Sequence, residues 1–319
     1  MIKIRRRRSL VAASSVAACT LMLSGCGADE AARDDGRISV VASTNVWGSV
    51  VSAIGDDLVS VESIIVGPTG DPHSYESTAA DGLTVAEAQM MIYNGGGYDD
   101  FAERLAEQVG EATVIDVFAL SGHGEERHAE ERHAEEEDGH AHELGANEHV
   151  WYDLATVGKV ADEVATRLAE IQPEDAETFT DNATAFKAEL DSLAERLAEI
   201  GSANPNATVL ATEPVAHYLL DGAKLTDATP EAFSRAIEGE TDVPVAAQDE
   251  VNRIIDAKRV AAVINNPQTQ TPVTEQVLDK AEESGVPVVD ITETLPEGMS
   301  DYLKWVGGQV EALAGAVGR

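Results

Sequence analysis

Eight histidines are spread unevenly along the 319 residues. Five stand between His123 and His142, His149 follows within seven residues, and His73 sits in Gly70-Asp71-Pro72-His73-Ser74-Tyr75-Glu76. Neutral imidazole is the commonest side-chain metal ligand, and a plain hydrophobic core has no need of so many. His73 and His149 are therefore read as holding one transition-metal ion between two lobes. His149 opens the run His149-Val150-Trp151-Tyr152-Asp153.

The five clustered histidines belong to a different kind of sequence. Residues 121–148 hold ten acids, two arginines and one large apolar residue, Leu144. Glu125-Glu126-Arg127-His128-Ala129 repeats as Glu130-Glu131-Arg132-His133-Ala134. A five-residue period matches neither helix nor strand, and such a composition cannot bury a core. The segment is read as an accessory loop that collects the same metal weakly through His123, His128, His133, His140 and His142.

The elements that must position His73 and His149 follow from apolar patterning. Ile38 to Ser43, Leu58 to Val66, Met90 to Asn94 and Ala112 to Phe118 read as strands. Asn45 to Ile54, Thr84 to Ala88 and Phe101 to Val109 read as helices between them. Strands alternating with helices imply a parallel α/β sheet, whose ligands bind at the carboxyl ends of the strands. The loop bearing His73 falls there. Leu154 to Ile171 is helical, Pro173 interrupts, and Glu174 to Ile200 continues as a spine helix about 40 Å long. The alternation then returns, with strands at Thr208 to Thr212, Val260 to Asn265 and Val286 to Thr292. Helices are read at Pro214 to Gly222, Asp249 to Ala257, Pro272 to Ser284 and Tyr302 to Val317. Two of these strands end on acids, Glu213 and Glu293.

The formal net charge of −36 becomes −41 without the first 25 residues, which carry Lys3 and Arg5 to Arg8 and no acid. Such a chain repels nucleic acid and anionic membrane surfaces and concentrates cations. The basic start and the apolar Leu10 to Leu23, too short for a stable membrane span, form a secretory signal. Its end, Leu23-Ser24-Gly25-Cys26, resembles the bacterial lipobox, which implies cleavage before Cys26 and acylation of its thiol. Cys19 leaves with the signal, so no intrachain disulfide and no zinc–thiolate site is expected. The reading is a signal peptide at 1–25, a lipidated tether at 26–37, an N-terminal lobe at 38–153, a helical linker at 154–205 and a C-terminal lobe at 206–319.

Asp71-Pro72-His73-Ser74-Tyr75-Glu76, His149-Val150-Trp151-Tyr152-Asp153, the spine helix and the histidine-rich loop together resemble the zinc/manganese-binding solute receptors of bacterial metal ABC importers (solute-binding protein family 9). The resemblance covers essentially the whole mature chain. It implies two Rossmann-like α/β lobes joined by a long rigid helix, with one metal in the interlobe cleft held by four loops. It places His73 and His149 as the first two ligands, Glu213 as the third and Glu293 as the fourth. His217, one helical turn beyond Glu213, is an alternative third ligand, and Asp290 an alternative fourth. Two imidazoles and two carboxylates suit Zn(II), Mn(II) or ferrous iron, and the Irving–Williams order favours Zn(II) over Mn(II).

The resemblance implies a monomeric, non-enzymatic receptor. It would be anchored through Cys26 on the outer face of the cell membrane and deliver Zn(II), with Mn(II) as the alternative, to an ABC permease and its ATPase. Competing readings are a metal-binding surface adhesin, a metal-sequestering lipoprotein, or a zinc-dependent hydrolase. Against the hydrolase stands the lack of a His-Glu-x-x-His helix or a Gly-x-Ser-x-Gly elbow.

Overall fold

Ile38–Thr44 (β1) is buried at six of its seven positions. That is the pattern of a central parallel strand, covered on both faces. In the computed structural model, which describes residues 36–318 except 69, 111, 125–146 and 240, β1 lies between Val59–Ile65 (β2) and Met90–Tyr93 (β3). Thr113–Asp116 (β4) completes a parallel sheet of order β2-β1-β3-β4. A second parallel sheet has the same plan. Thr208–Ala211 (β5) lies between the two-residue Thr226–Asp227 (β6) and Ala262–Asn265 (β7), with Val288–Asp290 (β8) at the far edge. In each sheet the crossovers leave the first strand in opposite directions, so each has a switch point where loops part above the strand ends. The signal peptide, Cys26, most of the tether, and His128, His133, His140 and His142 lie outside the described residues.

Helices follow their caps. Asn45–Gly55 (α1) follows β1 directly. Ala79–Glu87 (α2) starts five residues earlier than apolar spacing suggests, because Thr78 and Asp81 form a reciprocal capping box. Asp100–Ala106 (α3) follows β3. The strand expected to reach Phe118 stops at Asp116, whose carboxylate accepts from Ala119 N at 2.9 Å and starts Val117–Ser121 (α4). Leu154–Ile171 (α5) is capped by Asp153.

Ala176–Ala203 (α6) is the spine, 28 residues and so about 42 Å long. Its buried Phe179, Ala183, Phe186, Leu190, Leu197 and Ile200 face α1 and α5 at one end. At the other end they face His217–Gly222 (α7) and the closing helix, labelled α11 below. Gly201 lets the spine approach the second sheet, since a Cβ there would stand 2.2 Å from the Ala223 carbonyl oxygen. Glu231–Glu238 (α8), a short helix that the sequence reading did not include, is followed by Val245–Asp256 (α9), Pro272–Ser284 (α10) and Tyr302–Val317 (α11).

Both sheets lie within one compact unit, Gly36–Arg319. Hydrogen bonds stitch their halves together below the strand ends. Asn45 and Leu295 exchange two, at 2.9 and 3.1 Å. Ser49 Oγ donates to the Ser300 carbonyl and accepts from Tyr302 N, both at 2.9 Å. Tyr302 donates its hydroxyl to the Trp151 carbonyl at 2.6 Å.

Candidate metal centre

The loops beyond the carboxyl ends of the two sheets enclose a cleft of about 800 Å³. His73, His149, Glu213 and Glu293 all line it, together with Asp71 and Glu148.

His73 follows β2 at the end of a Gly/Pro loop. Asp71 Oδ1 accepts from its backbone N at 3.0 Å and faces its Nδ1 at 3.2 Å. That partner turns Nε2 toward the cleft, where it meets Glu148 Oε1 at 3.5 Å. Burial alone would lower the basicity of His73. The carboxylates of Glu148 and Glu293 outweigh burial and push the ring up to about 9.

His149 is 4% exposed. Asn147 Oδ1 accepts from its backbone N at 2.9 Å and stands 3.0 Å from its Nδ1. A proton on Nδ1 leaves Nε2 as the lone-pair nitrogen, the tautomer a metal ligand requires. Burial pushes this ring down to about 4, so it is neutral across the physiological range despite the nearby Glu148. Asn147 in turn donates to the Pro214 carbonyl at 2.9 Å and accepts from the Tyr218 hydroxyl at 2.8 Å, tying the His149 loop to the Glu213 loop.

Glu213 lies two residues beyond β5. It accepts from Thr269 Oγ1 at 2.5 Å and from Asn266 Nδ2 at 2.9 Å. Burial raises its carboxyl above the usual range. Glu293 lies three residues beyond β8 and is 4% exposed. It accepts from Asn266 Nδ2 at 2.7 Å and from the Tyr98 hydroxyl at 3.1 Å. Burial, with repulsion from Glu213, pushes it up to about 7 against the pull of His73.

The four side chains share a cleft, yet among the described residues no three His, Cys, Asp or Glu side chains converge as a ready-made ligand cluster. The reason lies in the partners just given. Asn266 stands between the two carboxylates, and His73 rests on Asp71 and Glu148.

Neither alternative ligand lines the main cleft. His217 is exposed, packs edge-on against Tyr218, and lines a smaller pocket together with Glu213, Asp221 and Asp227. Asp290 accepts from Asn265 Nδ2 at 2.7 Å at the end of β8 and does not line the cleft. Of the five histidines assigned to the accessory loop, only His123 is among the described residues. Its Nε2 stands 3.0 Å from Asp153 Oδ2, and its ring stacks on Tyr218 at 5.1 Å. The Asp153 carboxylate and the Tyr218 ring hold it in place.

Asn147 and Glu148 stand in the stretch Asn147-Glu148-His149-Val150-Trp151-Tyr152-Asp153 that the sequence singles out, but neither they nor Asn266 and Tyr98 were given a role at the site. Asn266 carried the same signal as Glu213, a polar residue just past an apolar strand. Glu148 and Asn147 immediately precede His149. Nothing local marks Tyr98.

A family model described as the periplasmic component A of a zinc-uptake complex matches residues 40–316. The chain belongs to this zinc-uptake component A family. Members of the family are binding components of metal uptake systems rather than enzymes. The chain is similar to the manganese-binding lipoprotein MntA of Halalkalibacterium halodurans, at 29% identity over 55% of this chain and 54% of that protein. It is similar also to the zinc-binding lipoprotein AdcA of Streptococcus pneumoniae, at 28% identity over 57% of this chain and 36% of that one. The chain thus spans about half or less of the length of these relatives. In fold it resembles the periplasmic zinc-binding protein TroA of Treponema pallidum, with a TM-score of 0.68, 18% identity, and coverage of 89% of this chain and 100% of that one. The two-lobed α/β architecture agrees with that likeness.

Proposed function

We propose that this protein is an extracytoplasmic receptor that captures a divalent transition-metal ion in the interlobe cleft and hands it to an ABC permease. Its ligands are His73, His149, Glu213 and Glu293, and its tightest cargo is Zn(II), with Mn(II) held more weakly. Anchoring through Cys26 and the lobe boundaries at 38–153 and 206–319 belong to the same reading.

One observation carries it. The described residues that line the cleft include two histidines and six acids, and neither a lysine nor an arginine. A half-buried site of that charge rejects anions, whereas a doubly charged cation relieves its repulsion. Nitrogen and oxygen donors exclude the soft thiolate-seeking ions, and the Irving–Williams order ranks Zn(II) above Mn(II). The names of relatives, one manganese-binding and one zinc-binding, support the class of ion without choosing between them.

Metal analysis of protein purified without added metal, followed by competition between Zn(II) and Mn(II), tests the reading. One ion per chain, lost on His73→Ala, His149→Ala, Glu213→Ala or Glu293→Ala and kept on His217→Ala or Asp290→Ala, is the expected result. Tight binding that survives Glu213→Ala but not His217→Ala refutes the third ligand.

A further inference from the structure

We propose that Glu148 is a fifth donor to the cargo ion and the residue that narrows the preference for Zn(II) over Mn(II). The inference rests on the function proposed above.

Glu148 Oε1 stands 3.5 Å from His73 Nε2, the ring nitrogen that Asp71 leaves for the metal. Two donors each about 2.1 Å from one ion stand about 3.4 Å apart at a tetrahedral angle and about 3.0 Å apart at a right angle. The pair therefore already has the spacing of two ligands on one ion. Glu148 is fixed there from behind, because Asn94 Nδ2 donates to its carbonyl oxygen at 2.9 Å. Its side chain is 17% exposed and lines the cleft, and no basic residue shares that lining.

With Glu148 the donor set becomes two nitrogens and three carboxylates. Zn(II) is satisfied by four donors, so a fifth adds little to it. Mn(II) prefers oxygen and higher coordination, so the same carboxylate adds more.

The test uses the full mature chain stripped of metal, with Zn(II) and Mn(II) as probes. Glu148→Gln keeps the shape and removes the charged donor. Glu148→Asp keeps the charge and draws it back by one methylene. Thermal unfolding of the stripped variants checks that each folds. The expected result is a Mn(II) affinity lower by about 100-fold in both variants and a Zn(II) affinity lower by less than about 10-fold. X-ray absorption of the Mn(II)-loaded protein should lose one oxygen scatterer. Equal losses for both metals, or a Glu148→Asp protein that behaves like wild type, would show a charge effect only and overturn the proposal while leaving the receptor reading intact. Failure of the wild-type chain to bind either ion overturns both.

Discussion

Tyr98 donates its hydroxyl to Glu293 Oε2 at 3.1 Å, although 195 positions separate the two in sequence. The bond spans the cleft from the loop after β3 to the loop after β8. The same ring packs against His73 at 4.9 Å and Trp151 at 4.6 Å between centroids. Tyr98→Phe keeps those ring contacts and deletes one donor to a buried carboxyl. The expected cost is about 1–3 kcal/mol of stability. Urea unfolding in the presence of a chelator measures it, and an unchanged midpoint would show that the bond contributes nothing.

Asn147 accepts from His149 and donates to the Pro214 carbonyl, so it holds an imidazole of one lobe against the carboxylate loop of the other. Asn147→Ala removes both links and frees the ring to turn. Metal affinity is expected to fall about 10–100-fold, as for other partners that orient ligands. Asn147→Asp keeps the acceptor and should recover most of the loss. Competition against a chelator of known affinity decides this, and a wild-type affinity in Asn147→Ala would sink it.

His128, His133, His140 and His142 stand in an acid-rich sequence with no apolar anchor. Fixing such a chain around an ion costs on the order of 1 kcal/mol per residue, which opposes tight binding. Deleting residues 125–142, which spares the packed His123, should leave one tight site and remove several weak ones. Lowering pH from about 7 to about 5 should release the weakly held ions first, since exposed imidazoles titrate near about 6.5. Titration calorimetry of the deletion protein reads both, and loss of the tight site would show that the segment supplies primary ligands.

Asp99 is fully buried and accepts from Asn94 N and Gly95 N, both at 2.8 Å. Gly95 has φ +76°, and a Cβ there would stand 2.5 Å from Asp116 Oδ1, so only glycine fits the turn that Asp99 holds. Burial pushes the Asp99 carboxyl up to about 6 from 3.8, despite the backbone donors. The folded state thus binds this proton more tightly than the unfolded chain. The contribution of Asp99 to stability is complete below about pH 4 and is lost as pH rises toward about 6. The stability of wild type relative to Asp99→Asn should therefore fall by about 3 kcal/mol at most across that window. Unfolding of both proteins at pH 4 and pH 7 tests the sign, and a relative stability that rises with pH would contradict it.

Where the sequence carries caps, element ends are legible to the residue. Asp153 and Pro173 bracket the helix Leu154–Ile171. Thr271-Pro272 and Gly285, at φ +68°, bracket Pro272–Ser284. Asp301 starts Tyr302–Val317. Where burial is slight the signal fails. The two-residue β6 is too short for a period to emerge, whereas Glu231–Glu238 spaces Phe233, Ala236 and Ile237 along one helical face and goes unread because it is only eight residues long.

The sequence by itself determined the parallel α/β plan, the long spine and the placing of His73, Glu213 and Glu293 after strand ends, with His149 in its own local motif. It could do so because apolar runs, helix breakers and terminal polar residues are local properties of the chain. Tertiary structure alone decided which polar residues face one another. Asn266 lies between Glu213 and Glu293, Tyr98 reaches Glu293, and Glu148 faces His73, while His217 and Asp290 are directed elsewhere. Those pairings join residues tens to hundreds of positions apart. They depend on how two sheets are oriented about one spine, which no local pattern encodes.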